Sequence, residues 1–162
     1  MKSAMAQARA AGRHGDVPIG AVIVQTLPVA FGDTPPKEGN SRIIARGENR
    51  VQVGRDPTLH AEIVAIRRAC KKMGQKFLDD CEIYVTLEPC AMCATAISFA
   101  RIKRIIFAAD DPKGGGVLHN ARIFDTDKHL WHPAIAQMPE FAAESAELLK
   151  DFFKGRREQR KH

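Results

Sequence analysis

The chain has 162 residues, with 25 Lys+Arg against 19 Asp+Glu and a formal net charge of +6. At 44% hydrophobic and 27% charged, it is too apolar for a disordered chain and carries no Gly-X-Y or heptad repeat. A chain of this length reads as one domain, 1–162, whose core buries roughly 70% of the extended-chain surface. It needs no disulfide or metal to fold, so a bound metal would serve chemistry.

No apolar run approaches the ~20 residues of a membrane span. Residues 1–11 are Ala-rich but interrupted by Lys2, Gln7 and Arg9, unlike the continuous apolar stretch of a signal peptide. The expectation is a cytoplasmic protein, without a membrane partner, whose four cysteines are thiols or metal ligands. The positive charge is concentrated at one end. Lys150, Lys154, Arg156, Arg157, Arg160 and Lys161 oppose Asp151 and Glu158, which places +4 of the +6 in 150–162. Cations at a helix end are favoured by the helix dipole. A phosphate-binding tail is the other reading.

In chain order, residues 1–12 read as a helix with Met1, Ala4, Met5, Ala8 and Ala11 on one face, ended by Gly12 and Gly15. Residues 18–25 are rich in β-branched types and read as a buried strand. Residues 26–41 hold Pro28, Pro35, Pro36, Gly32 and Gly39, so they read as a loop. A second strand follows over 42–48, giving a hairpin with an extended loop. A helix is expected from Asp56-Pro57-Thr58 to Gly74, a strand over 82–87, and a helix over 89–100 with Pro89 in its first turn. Another strand covers 103–109 and a turn-rich loop covers 110–116. Residues 117–139 show no usable period. The last helix, 140–157, places Phe141, Leu148, Leu149, Phe152 and Phe153 on an apolar face with Ser145 between them. Strand–helix–strand alternation in the second half implies right-handed crossovers and a largely parallel sheet, with the first hairpin supplying an antiparallel part. The fold class is α/β.

His60-Ala61-Glu62 opens one of these helices. Twenty-six residues after Glu62, Pro89-Cys90-Ala91-Met92-Cys93 opens another. Cys90 and Cys93 share a helix face, and a helix N-terminus favours the thiolate, which is the metal-binding form. With His60 they make a three-donor set suited to Zn2+. His60 and Glu62 diverge by about 200° inside a regular helix; they converge only at a helix start. Cys70 stands about 15 Å along the same helix from His60, and Cys81 about 20 Å from Leu87 along its strand. Both read as ordinary thiols. His14, His119, His129, His132 and His162 have no partner at metal spacing. Three ligands leave a position open for water, which is the catalytic arrangement. H-x-E followed by P-C-x-x-C is the zinc deaminase signature, and chance produces it in about one such chain in ten thousand.

With these motifs the chain resembles the cytidine deaminase-like superfamily, and within it the bacterial tRNA-specific adenosine deaminases. The resemblance extends to Val17-Pro18-Ile19-Gly20-Ala21-Val22, Gly47-Glu48-Asn49-Arg50, Asp56 to Glu62, Tyr84 to Cys90, Arg101-Ile102, Asp111, Lys113 and Leu148 to Phe153. It implies a three-layer α/β/α fold with a five-stranded mixed sheet, one Zn2+ per chain, a homodimer, and hydrolysis of adenosine to inosine at the wobble position of a tRNA anticodon. Glu62 then takes the water proton, delivers one to ring N1 and helps protonate the leaving amine. Asn49 and the Ala61 backbone contact the base. Ile19, Leu87, Asp111, Lys113 and Phe152 line the channel. Plain packing is the alternative for Ile19, Leu87 and Phe152, and a solvated turn for Asp111 and Lys113. An anticodon stem-loop offers a base that leaves its stack cheaply. With only 6% aromatic residues, phosphate contacts from Lys150, Lys154, Arg156 and Arg157 carry much of the expected affinity. The long 26–41 segment departs from a short hairpin turn and is expected at the end of the sheet away from the chemistry. Gly114-Gly115-Gly116 falls where family members vary. A deaminase of free guanine or cytosine, and a zinc-stabilised RNA-binding module without turnover, stand as alternatives.

Overall fold

The structure is a computed structural model that describes residues 1–26, 41–125 and 130–159. α1 (Lys2–Arg13) precedes β1 (Gly20–Thr26) and β2 (Ser41–Glu48). A single turn, α2 (Val51–Gly54), leads to α3 (Ala61–Met73). Then come β3 (Cys81–Leu87), α4 (Ala91–Phe99), β4 (Arg104–Ala109), β5 (Ala134–Gln137) and α5 (Ala142–Gln159). The sheet order is β2-β1-β3-β4-β5. β1 runs antiparallel to β2 and β3, while β3, β4 and β5 are parallel.

The two-residue alternation of a strand assigns the faces. Ala21, Ile23, Ile83, Val85, Ile105 and Phe107 pack into one core cluster with Ala61 and Ala65 of α3 and Ala94 and Ile97 of α4. On the opposite face Val22, Tyr84 and Ile106 lie in register, beneath α1 and α5. α1 presents its buried stripe Ala4, Met5, Ala8 and Ala11 at helical spacing. α5 is tied down by Ser145, whose Oγ donates to the Thr86 carbonyl at 2.6 Å. This is the expected three-layer α/β/α arrangement with a mixed five-stranded sheet.

Two glycines set the spacing between layers. A Cβ on Gly20 would overlap the Ala4 carbonyl and stand 2.5 Å from Ala8 N; one on Gly47 would overlap the Ala61 carbonyl and stand 2.6 Å from Ala65 N. Each helix therefore sits directly on a strand backbone, α1 on β1 and α3 on β2. The second contact pins the start of α3 beside the end of β2.

Several expectations are corrected. α3 begins at Ala61, not at Asp56. Asp56 instead closes a turn, its carboxylate accepting from Thr58 N at 2.8 Å and Oγ1 at 2.6 Å, so the polar side chain competes with helix formation. Pro89 stands before the Cys90 cap of α4, outside its first turn. α2 was not expected, because four residues carry no period. The stretch 117–139 contains β5, an edge strand too short to alternate legibly. Phe153 is 46% exposed and does not share the apolar face of α5. The interior of the 26–41 segment, residues 27–40, and Arg160, Lys161 and His162 lie outside the described residues. The flanking pair Thr26 and Ser41 closes the ladder at the opposite end from Gly20 and Glu48, as expected.

Candidate active site

His60 and Cys90 occupy equivalent places. Each caps a helix, α3 and α4 respectively, with extended backbone (φ −66°, ψ 155° and φ −68°, ψ 171°). Cys93 follows in the first turn of α4. His60 Nδ1 stands 3.6 Å from both Cys90 Sγ and Cys93 Sγ, and the three donor atoms lie within 4.8 Å of one another. A tetrahedral zinc, with bonds of about 2.3 Å to sulfur and about 2.0 Å to nitrogen, separates such atoms by about 3.5 Å. The donor set fits that ion. Cys81 is buried at the far end of β3, where burial pushes its thiol up to about 12. Cys70 is half-buried and raised for the same reason. Neither joins the cluster.

The electrostatics distinguish the three donors. Cys90 is held down to about 4, first by a hydrogen bond from Cys93 and then by His60. Cys93 is driven strongly upward by that same bond, by burial and by the Glu62 charge. The two sulfurs thus share one proton, and a cation is needed to make both thiolates. His60 is raised chiefly by its bond to Cys90.

Glu62, the second residue of α3, is 4% exposed. Burial pushes its carboxyl up to about 7, against hydrogen bonds from its own N–H and Cys93. A carboxyl poised near neutrality beside an open metal position suits general acid–base work.

Asn49 closes β2 and is 4% exposed. Its N–H donates to the Ile19 carbonyl at 3.1 Å, and Arg50 N donates to the Leu59 carbonyl at 2.9 Å. These bonds and the Gly47 contact bring Asn49, Ile19 and the fully buried Ala61 to the start of α3. Asp16 supports this edge and escaped sequence reasoning. Fully buried, it accepts from Gln52 N at 2.8 Å and Val53 N at 3.2 Å. Its only signal was an acid before Val17-Pro18.

Leu87 ends β3 half-buried, paired with Ala109. The Asp111 carboxylate builds its own turn, accepting from Lys113 N at 3.2 Å and Gly114 N at 2.9 Å; Lys113 is exposed. Phe152 lines a cleft of about 460 Å³ between α1 and α5, with Arg9, Gly12, Arg13, Pro18, Leu148 and Asp151. Arg9 and Arg13, spaced one helical turn apart, add cations outside the tail, with Arg9 ion-paired to Glu144 of α5. Of the four tail residues singled out, Arg156 reaches the Phe152 ring at 5.7 Å; Lys150, Lys154 and Arg157 are exposed on α5.

His119 is corrected as well: its Nδ1 stands 2.7 Å from Glu88 Oε2. Glu88 is 2% exposed. Burial pushes its carboxyl up, but donation from the backbone of His119, Leu118 and Asp111 and from the His119 ring outweighs this and holds it below its ordinary range.

The model of the MafB19-like deaminase family matches residues 1–157. The tRNA-specific adenosine deaminase of Agrobacterium fabrum is 43% identical, over 97% of this chain and 93% of its own. A solved structure of a tRNA:A34 deaminase, of the kind that edits A to I at the wobble position, is 44% identical with a TM-score of 0.78, covering 92% of this chain and 97% of that one. Guanine deaminase from Bacillus subtilis is 42% identical with a TM-score of 0.55, covering 67% of this chain and 61% of its own. By fold, by the His60, Cys90, Cys93 and Glu62 constellation and by these likenesses, the chain belongs to the MafB19-like deaminases and to the tRNA-specific adenosine deaminase family of hydrolytic enzymes.

Proposed function

We propose that this chain, as one domain, hydrolyses adenosine to inosine at the wobble position of a tRNA anticodon. His60, Cys90 and Cys93 would hold one Zn2+, and Glu62 would carry the protons. The observation that carries this reading is the buried Glu62 carboxyl beside a three-donor set with no fourth protein ligand among the described residues. A structural site has no use for that carboxylate. When bound, zinc supplies a Lewis acid that lowers the pKa of water to about 7.

Glu62, near neutrality, takes the proton of the water whose oxygen adds to C6 of adenine. It returns that proton to ring N1, then takes the proton of the new C6 hydroxyl and passes it to the amino group, which leaves as ammonia as the C6 carbonyl forms. Asn49 hydrogen-bonds the base, and the buried Ala61 fixes the backbone beside it. Phe152, beside Arg13 in the cleft and with Arg156 over its ring, offers an aromatic face near cations, the combination single-stranded RNA needs. Full-length likeness to tRNA-specific relatives, together with Arg13 and Arg156 beside Phe152, favours RNA over a free base, despite the partial likeness to guanine deaminase.

A homodimer is supported by α4, apolar on every side, with Phe99 68% and Met92 37% exposed; such a patch marks an interface. The protein is expected in the cytoplasm. No described helix is long and apolar enough to cross a membrane.

The test is incubation with unmodified tRNA carrying adenosine at the wobble position, scored for inosine. Ammonia from free guanine without inosine in tRNA overturns the RNA reading. Glu62→Ala is expected to keep zinc and tRNA binding and lose turnover; unchanged turnover overturns the mechanism.

A further inference from the structure

The segment 111–119, which follows β4, lies along the zinc-ligand helix start. Gly115 pairs with Cys90 in an isolated bridge, and Gly116 N donates to the Pro89 carbonyl at 2.8 Å. Two glycines of this segment, Gly115 and Gly116, are required by backbone contacts, and Gly114 lies against a side chain. A Cβ on Gly114 would stand 2.8 Å from Asp111 Oδ2, and one on Gly115 2.6 Å from Glu88 Oε1. One on Gly116 would stand 2.7 Å from the Cys90 carbonyl carbon. The segment is pressed onto the backbone that carries Cys90.

Glu88 holds it there. Its Oε1 accepts from Val117 N at 3.1 Å, Leu118 N at 2.7 Å and His119 N at 2.9 Å. Its Oε2 accepts from Asp111 N at 3.1 Å and faces His119 Nδ1 at 2.7 Å. One buried carboxylate therefore gathers both ends of the segment. Glu88, Asp110 and His119 also satisfy the spacing of a metal cluster, but both Glu88 oxygens are already committed, and backbone N–H groups point where a cation would sit. The cluster is a clamp.

We propose that Glu88 is a positioning residue that fixes the 111–119 segment as a wall of the substrate site beside Cys90. Through it Asp111 and Lys113 are held where the RNA passes. This rests on the reading of the site as an RNA deaminase. It assigns substrate affinity to a residue that touches neither the ion nor the reacting atoms.

Glu88→Gln tests it. The amide oxygen can still accept from 117–119, but its NH2 then faces the Asp111 N–H, donor against donor. The zinc-loaded variant is expected to retain the zinc content of the unsubstituted chain. KM for an anticodon stem-loop should rise about tenfold, with kcat within about threefold, as loss of a charged hydrogen bond predicts. Amide hydrogen exchange at Asp111 and 117–119 should accelerate. Unchanged KM and exchange overturn the proposal, and so does loss of zinc or of kcat alone, which would assign Glu88 to Cys90 instead. If Glu88→Gln does not fold, His119→Ala removes one donor; it should speed exchange at Asp111, and unchanged exchange overturns the clamp. An unsubstituted chain that makes no inosine refutes the deaminase reading, while the exchange contrast still tests the clamp.

Discussion

Gly47→Ala tests whether the layer spacing builds the active site. The added Cβ would overlap the Ala61 carbonyl and stand 2.6 Å from Ala65 N, where ordinary contact begins near 3.4 Å. These are backbone atoms and cannot swing aside. α3 must withdraw from β2 by about 0.8 Å at Ala65 and farther at Ala61, a displacement on the scale that costs about 10²-fold in rate. Overpacking of this kind costs about 1–3 kcal/mol or more in stability. The displaced end carries His60 and Glu62, so zinc affinity and turnover should fall together. Gly20→Ala is the matched control, because it overlaps α1, which carries no metal donor. Both variants are expected to lose comparable stability in a thermal melt. Only Gly47→Ala should lose zinc affinity in a competition assay with a chromogenic chelator. Full zinc affinity and activity in a folded Gly47→Ala variant would refute the reasoning.

Three further outcomes follow from the site. Burial raises the Glu62 carboxyl to about 7, so between its ordinary range and pH 7 the folded, metal-free chain keeps a proton that the unfolded chain has released. Stability from this group therefore falls as pH rises through that window, and the Tm of metal-free Glu62→Gln should gain on the unsubstituted chain from pH 4.5 to 7; a constant offset contradicts this. In the zinc-stripped chain Cys90, held near 4 by Cys93 and His60, should be alkylated by iodoacetamide at pH 6 before Cys70 or Cys81. Peptide mapping checks the order, and zinc should protect Cys90. Replacing Arg156 and Arg157 with alanine should flatten the slope of log affinity against log salt for the stem-loop by roughly 1–2, while an unaltered slope returns these residues to the role of a solvated helix end.

The sequence by itself determined the candidate metal centre. The donors His60, Cys90 and Cys93 and the acid Glu62 sit in two short motifs whose spacing is local, and only helix starts let His60 and Glu62 converge. It also determined α1, α3, α4, α5 and four of the strands, because hydrophobic period and Gly or Pro punctuation are local signals. Tertiary structure alone decided the rest. β5 is four residues long and is a strand only because β4 offers it a parallel edge. Asp16 and Glu88 look like ordinary surface acids until the fold aims backbone N–H groups at them from 36 and 23–31 residues away in sequence. Gly114-Gly115-Gly116 reads as a variable loop, yet the absence of side chains is what lets it lie against Asp111, Glu88 and Cys90. The excess of positive charge pointed to the C-terminal tail; the fold brings Arg9 and Arg13 of α1 into one cleft with Phe152 and Asp151 of α5. Burial and backbone hydrogen bonding are properties of the assembled layers, so no local pattern encodes them.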